Sequence, residues 1–162
     1  MKLYVDMDEC LTAFNEAVKK LGPHAAEGLD PKASNLQKKI LRDSVEKAGE
    51  NFWSKMDWKN DGKELWAIVK PFNPSLLTSP GIFTHAQSGK ILWVKKHIPG
   101  TTILFSTTKS EYVNPYETSI LIDDLKKNIS AWEAAGGIGI LHQSTTTTER
   151  QLLELLWENP PQ

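Results

Sequence analysis

Five short runs of apolar residues recur along the chain, and each is followed by a polar or turn-forming cluster. The runs are continuous and do not alternate with polar residues, which is typical of strands covered on both faces of a parallel sheet. We therefore predict five buried strands. They are Leu3–Asp6, Ser75–Thr78, Thr101–Phe105, Ser119–Ile122 and Ile138–Leu141.

Helical periodicity follows the later strands. Asp124 is a candidate cap for one of these helices, and Thr146-Thr147-Thr148-Glu149 offers a capping box for the last, which Pro160-Pro161 would end. Strands that alternate with helices predict an α/β fold with a mostly parallel sheet. The predicted helices are Gly89–Ile98, Leu125–Ala135 and Glu149–Trp157.

The interval between the first two strands is much longer than the others. From about Phe14 to Pro74 it shows helical periodicity and no convincing strand. A single crossover helix needs only about a dozen residues. We therefore predict a helical cap at 14–74, inserted after the first strand and lying over one edge of the sheet, with 1–13 and 75–162 forming the core.

Composition limits the classes of protein that need to be considered. The chain has 162 residues and a net charge of −1, which indicates one domain and argues against a protein that coats nucleic acid or binds a membrane surface. Its single cysteine, Cys10, excludes a disulfide framework. We see no signal peptide and no membrane-spanning stretch, so a cytoplasmic location is expected.

Polar side chains follow four of the predicted strands, where the crevice of an open parallel sheet binds its ligand. Carboxylates that lie close together repel one another unless a cation is present. Mg²⁺ suits a site in which a few carboxylates bind the ion and water and phosphate complete its coordination shell. A lysine and a hydroxyl beside them could hold a phosphoryl group. Each residue alone could be a turn residue, a helix cap or a solvated side chain, but together they favour a functional site. They are Asp6 and Asp8, Thr78 and Ser79, Lys109, and Asp123 and Asp124.

These motifs resemble those of the haloacid dehalogenase-like (HAD) phosphohydrolases. The segments that match are YVDMDECLTAF, LLTSP, Lys109 and ILIDD. The chain looks most similar to the 5'(3')-deoxyribonucleotidases, which share Phe14, the TSP motif and the spacing of Lys90, Trp93 and Val94. The resemblance implies a Rossmannoid three-layer sandwich with a five-stranded parallel sheet and a small helical cap.

The resemblance also implies a role for each core residue. Asp6 would be the nucleophile that forms an aspartyl-phosphate, and Asp8 would protonate the leaving group and then activate water. Thr78 and Lys109 would hold phosphate oxygens. The implied Mg²⁺ ligands are Asp6, the backbone carbonyl of Asp8 and Asp123, with Asp124 in support.

The chain departs from the nucleotidases at several positions. Glu9 stands where the family commonly has glycine. Gly81 and Ile82 stand where a basic residue follows the TSP motif, and Thr107 stands where an arginine precedes the motif lysine. The last two differences remove positive charge from the phosphate side.

An aromatic-rich part of the predicted cap suggests a substrate contact. Phe52 and Trp53, with Phe14 beneath them, could stack on a nucleobase; alternatively, they pack the cap onto the core. We also count Ser79 and Lys90 among the candidate substrate-binding residues.

The sequence thus predicts a Mg²⁺-dependent phosphomonoesterase that acts on (deoxy)nucleoside monophosphates. The alternatives are a phosphatase for another small phosphate such as a sugar phosphate, a receiver-like signalling domain, and a binding protein without catalysis. The expected partner is a small phosphomonoester rather than a nucleic-acid polymer or a membrane, and a homodimer is compatible with the sequence.

Overall fold

The predicted strands form one five-stranded sheet in the computed structural model, which describes residues 1–158. The spatial order is β3-β2-β1-β4-β5, and every neighbouring pair is parallel. Asp6 lies just beyond the first strand, and the third begins at Ile103 rather than Thr101. The strands are β1 (Lys2–Val5), β2 (Ser75–Thr78), β3 (Ile103–Phe105), β4 (Ser119–Asp123) and β5 (Ile138–Leu141).

The helices cover both faces of this sheet. Because successive side chains of a strand point to opposite faces, Leu3 and Val5 join the larger apolar core while Tyr4 joins a smaller one. The predicted α/β class is therefore confirmed. The helices are α1 (Phe14–Lys20), α2 (Pro23–Glu27), α3 (Asn35–Ala48), α4 (Glu50–Ser54), α5 (Gly62–Val69), α6 (Ala86–His97), α7 (Lys126–Ala134) and α8 (Thr145–Glu158).

The segment between β1 and β2 contains α1 to α5, and the loop after β1 is bonded to the stretch between α4 and α5. The Ala13 N–H donates to the Asp57 carbonyl at 3.0 Å, and the Lys59 N–H donates to the Leu11 carbonyl at 2.8 Å. Trp53 of α4 lies in the same apolar core as the strands. The segment is therefore anchored to the core through the loop after β1 and through α4.

Two helix starts differ from the predictions by more than one residue. Helix α6 begins at Ala86, so Gly89 lies inside it, where it touches α4. Helix α8 begins at Thr145, before the predicted capping box, and the Ser144 hydroxyl accepts the Thr147 N–H at 3.3 Å. Pro160-Pro161, the predicted end of α8, lies outside the described residues. Within residues 1–158, no helix is both long enough and apolar enough to cross a membrane.

Candidate active site

A pocket of about 350 Å³ opens at the carboxyl ends of the central strands. It brings together most of the predicted site residues, which were chosen because they follow different strands. Asp123, Lys90, Phe52 and Trp53 were also predicted but do not line it. The predicted residues that line it are Asp6, Asp8, Phe14, Thr78, Ser79, Lys109 and Asp124, and the others are Glu9, Asn15, Leu125 and Asn128.

Asp6 lies at the bottom of this pocket, one residue beyond β1. Its N–H donates to the Ile122 carbonyl at 2.8 Å, which continues the pairing of β1 with β4. Burial raises the pKa of its carboxyl to about 6; Lys109 opposes this shift, while Asp123 and Asp8 add to it. Asp6 is therefore a buried carboxylate that needs nearby positive charge to stay ionised at neutral pH.

Lys109 supplies part of that charge from the short helical turn Lys109–Tyr112. Its Nζ lies 2.7 Å from Asp6 Oδ1 and 2.6 Å from Asp123 Oδ2. Burial by itself lowers the pKa of Lys109, but the two carboxylates outweigh burial and the net shift is upward. The lysine thus stays a cation and links the end of β1 to the end of β4.

The carboxylate of Asp123 is fully buried and already bonded. It accepts a hydrogen bond from Lys109 and another, at 2.8 Å, from the Leu125 N–H. The Asn128 Nδ2 also donates to it and lies 3.1 Å and 2.9 Å from its two oxygens. Asn128 was not among the predicted site residues. Its place in the first turn of α7, just beyond the acid pair, is the one signal that could have suggested it.

Asp124 instead faces the pocket and Asp6. Burial, together with the neighbouring charges of Asp6 and Asp123, raises the pKa of Asp124 to about 7. It lies before the cap position of α7, which Leu125 occupies, so the alternative role of a helix cap does not apply. The geometry favours Asp124 over Asp123, the expected ligand, as the direct partner of Asp6 at a cation.

The residues present fit a hard divalent cation. Among the described residues, one oxygen each of Asp6 and Asp124 and the Cys10 sulfur lie within 4.8 Å of one another. Burial raises the pKa of the Cys10 thiol well above its usual value, so the thiol is neutral and acts as a small apolar group. The two carboxylates therefore provide oxygen ligands of the kind that Mg²⁺ prefers.

Asp8 is held by two side chains from other parts of the site. The Thr12 hydroxyl donates to Asp8 Oδ1 at 3.1 Å, and Lys90 Nζ donates to Asp8 Oδ2 at 2.7 Å. Lys90 also donates to Thr78 Oγ1 and to the Ser79 carbonyl, both at 2.8 Å. Lys90 is completely buried and does not line the pocket, although Asp8 and Thr78, which it contacts, do; its contact with a substrate stays a prediction.

The predicted aromatic platform does not exist in the structure. Phe52 is 8% exposed and Trp53 is 2% exposed, and their ring centroids lie 5.0 Å apart inside the core. Phe14 stacks on Trp53 at 5.7 Å and is the aromatic member of the pocket wall. Packing of the inserted segment onto the core, the alternative considered above, therefore accounts for Phe52 and Trp53.

Two solved structures resemble the chain over nearly its whole length. A hydrolase from Pseudomonas syringae gives a TM-score of 0.52 at 17% sequence identity, and the alignment covers 99% of each chain. A haloacid dehalogenase-like family hydrolase from Streptococcus pneumoniae gives a TM-score of 0.57 at 14% identity, with 97% of each chain covered. No protein-family model and no curated protein matches the sequence.

These similarities establish the fold. The chain has the haloacid dehalogenase-like fold, as its motifs predicted. The narrower resemblance to the deoxyribonucleotidases remains a prediction.

Proposed function

We propose that this protein is a Mg²⁺-dependent phosphomonoesterase that acts through an aspartyl-phosphate. The observation that carries the proposal is the position of Asp6. Its buried carboxylate lies at the bottom of a pocket, 2.7 Å from the cation of Lys109, and Asp124 and Asp8 line the same pocket. A phosphoryl group there would meet a nucleophile, positive charge and an acid–base residue together.

Asp6 is the proposed nucleophile. One of its carboxylate oxygens attacks phosphorus, and the bond from phosphorus to the leaving oxygen breaks as the new bond forms. Lys109 supports the developing charge on the phosphoryl oxygens. Asp6 and Asp124 would hold the Mg²⁺, which when bound neutralises phosphate charge.

Asp8 is the proposed general acid and base. It gives a proton to the leaving alkoxide and then takes one from the water that hydrolyses the aspartyl-phosphate, which returns Asp6 to a carboxylate and releases phosphate. Lys90 and Thr12 hold the Asp8 carboxyl in place for both steps. Thr78, which accepts from the same lysine, is positioned to donate its hydroxyl proton to a phosphoryl oxygen.

The proposed substrates are nucleoside monophosphates, with the deoxy form preferred. Phe14 offers an aromatic surface, and Asn15 and Asn128 offer amide groups along the pocket wall. The burial of Phe52 and Trp53 favours a second candidate, a small phosphate such as a sugar phosphate, because only one ring remains for stacking. The strand order excludes the receiver-like alternative, whose fold has the order 2-1-3-4-5.

A phosphate-release panel tests this proposal. It should include deoxy- and ribonucleoside 5'- and 3'-monophosphates and sugar phosphates, each with Mg²⁺ and with a chelator. We expect release that requires Mg²⁺ and is fastest for a deoxynucleotide. Fastest release from a sugar phosphate would reject the nucleotide class alone, whereas no release from any compound would reject the phosphatase.

Asp6→Asn tests the nucleophile. We expect kcat to fall on the order of 10³-fold or more, because an amide cannot form the aspartyl-phosphate. Asp43→Asn is the matched control, since Asp43 is an exposed residue of α3 paired with Lys39. Retained turnover in Asp6→Asn with an unchanged circular dichroism spectrum would remove Asp6 from the mechanism.

A further inference from the structure

Glu9 adopts a backbone conformation that is unusual for a residue with a side chain. Its φ is 60°, in the left-handed region that glycine enters most easily. The turn is closed by the Glu9 N–H, which donates to the Thr12 carbonyl at 2.8 Å. Because glycine would fit this turn without strain, the side chain of Glu9 needs a separate explanation.

That side chain connects the start of α1 to the stretch between α4 and α5. One carboxylate oxygen accepts the Asn15 N–H at 2.7 Å, at the start of α1. The other oxygen pairs with the ammonium of Lys59, in the stretch between α4 and α5. The side chains of Lys59 and Glu9 are 34% and 18% exposed, so the pair lies near the surface but is largely covered.

Two cavities meet at this ion pair. The candidate active-site pocket has a volume of about 350 Å³, and a neighbouring polar groove has a volume of about 480 Å³. Glu9 and Asn15 line both cavities, whereas Lys59 and Asn60 line the groove alone. The side chain of Glu9, held by Lys59, is therefore part of the wall between them.

We propose that the Glu9–Lys59 ion pair is a specificity-determining wall that restricts the leaving group of the substrate to the active-site pocket. This inference rests on the proposed phosphomonoesterase function. Ligand pockets range over about 300–1,000 Å³, so the pocket is small once it also holds a phosphoryl group. Removing the wall joins the pocket to the groove and gives a larger leaving group room.

The test compares two substrates that differ by one base. These are deoxyguanosine 5'-monophosphate and 2-deoxyribose 5-phosphate, and the quantity measured is the ratio of their kcat/KM values. Because the phosphate and sugar are shared, general damage to the chemistry largely cancels in the ratio. Glu9→Gly and Lys59→Met should each raise the ratio in favour of the nucleotide by at least about fivefold.

Lys20→Met is the matched control. Lys20 pairs with Asp57 and so also joins α1 to the stretch between α4 and α5, but it lines neither cavity. Its ratio should equal that of the unmodified protein.

The outcomes separate this inference from the proposed function. An unchanged ratio in both Glu9→Gly and Lys59→Met, while the unmodified protein hydrolyses at least one of the two substrates, overturns the wall and leaves the phosphatase intact. An equal rise in Lys20→Met also overturns it, because a general loosening of the insertion would then explain the effect. If neither the unmodified protein nor any variant hydrolyses either substrate, the result counts against both the wall and the proposed phosphatase.

Discussion

Two buried lysines organise the acidic residues of the candidate site. Lys109 bridges Asp6 and Asp123, and Lys90 bonds to Asp8. Removing a charge from water is costly unless it is paired and hydrogen-bonded, and both lysines meet that condition. Each lysine therefore stabilises the fold and also fixes a carboxylate in the position that the proposed mechanism needs.

Lys90→Met should reduce stability and activity together. Lys90 Nζ has three oxygen partners, and methionine would leave the buried Thr78 hydroxyl and the partly buried Ser79 carbonyl without this donor. Hydrogen bonds to charged groups contribute about 1.5–3 kcal/mol each, so we expect the free energy of unfolding to fall by about 2–4 kcal/mol. Urea denaturation measures this change, and kcat should fall because Asp8 loses its support.

Lys39→Met provides the comparison. Lys39 forms an exposed ion pair with Asp43, and such pairs contribute only about 0–1 kcal/mol. If Lys90→Met were as stable as Lys39→Met, Lys90 would not be an ordered partner of Asp8 and Thr78.

The strand ends show which residues of the site sequence reasoning could find. Asp6 and Thr78 were found because the carboxyl ends of parallel strands open into a common crevice. Lys90 could not be assigned its contact in this way, since its partner Asp8 lies 82 residues away and the packing of α6 decides what the lysine reaches. The distinct roles of Asp123 and Asp124 depend on the direction of each side chain after β4, which spacing does not reveal.

At the scale of elements, α4 and α6 pack closely against each other. A Cβ placed on Gly89 would lie 2.4 Å from the Trp53 Cβ and 2.8 Å from the Glu50 carbonyl oxygen. The sequence pattern treats Gly89 as a helix start because glycine disfavours helix interiors. In the folded chain, the absence of a side chain at Gly89 is what allows the inserted segment to lie against the core.

Gly89→Ala should therefore destabilise the protein although alanine favours helices. The gain in helix propensity is about 1 kcal/mol, whereas overpacking costs about 1–3 kcal/mol and here involves backbone that cannot move easily. We expect a net loss of about 1–2 kcal/mol, the upper part of the difference between these terms, which lowers Tm by about 2–8 °C in a chain of this size. Thermal unfolding followed by circular dichroism measures this change.

Gln87→Ala is the control for this prediction. Gln87 is an exposed residue of the same helix, so the substitution changes propensity without adding a contact. Its Tm should stay within about 2 °C of the unmodified protein. A Tm for Gly89→Ala at or above that of Gln87→Ala would contradict the close approach of α4 and α6.

At the scale of the whole molecule, a net charge of −1 hides an acidic centre. The pKa of Asp6 is raised to about 6 and that of Asp124 to about 7, chiefly by burial. Carboxyls with raised pKa values are protonated more readily in the folded chain than in the unfolded chain, where they titrate near 4. In the metal-free protein, their contribution to the free energy of unfolding therefore falls as pH rises from about 4 through about 7.

A divalent cation between these carboxylates should reverse that loss. A ligand that binds only the folded chain at about 100 times its Kd adds about 2.7 kcal/mol, so Mg²⁺ at that concentration should raise Tm at pH 8 by about 5–10 °C. When both proteins are metal-free at pH 8, Asp124→Asn should have a higher Tm than the unmodified protein, because one buried charge is gone. The same variant should lose most of the Mg²⁺-dependent increase.

Asp123→Asn should behave in the opposite way, since Asp123 bonds to Lys109 and Asn128 and does not line the pocket. Its metal-free Tm should fall because a buried partner of Lys109 becomes neutral, whereas its increase with Mg²⁺ should persist. Differential scanning calorimetry of both variants, with chelator and with Mg²⁺, distinguishes the two aspartates. A Mg²⁺ response that survives in Asp124→Asn and disappears in Asp123→Asn would show that Asp123 is the ligand, and the geometric argument for Asp124 would then fail.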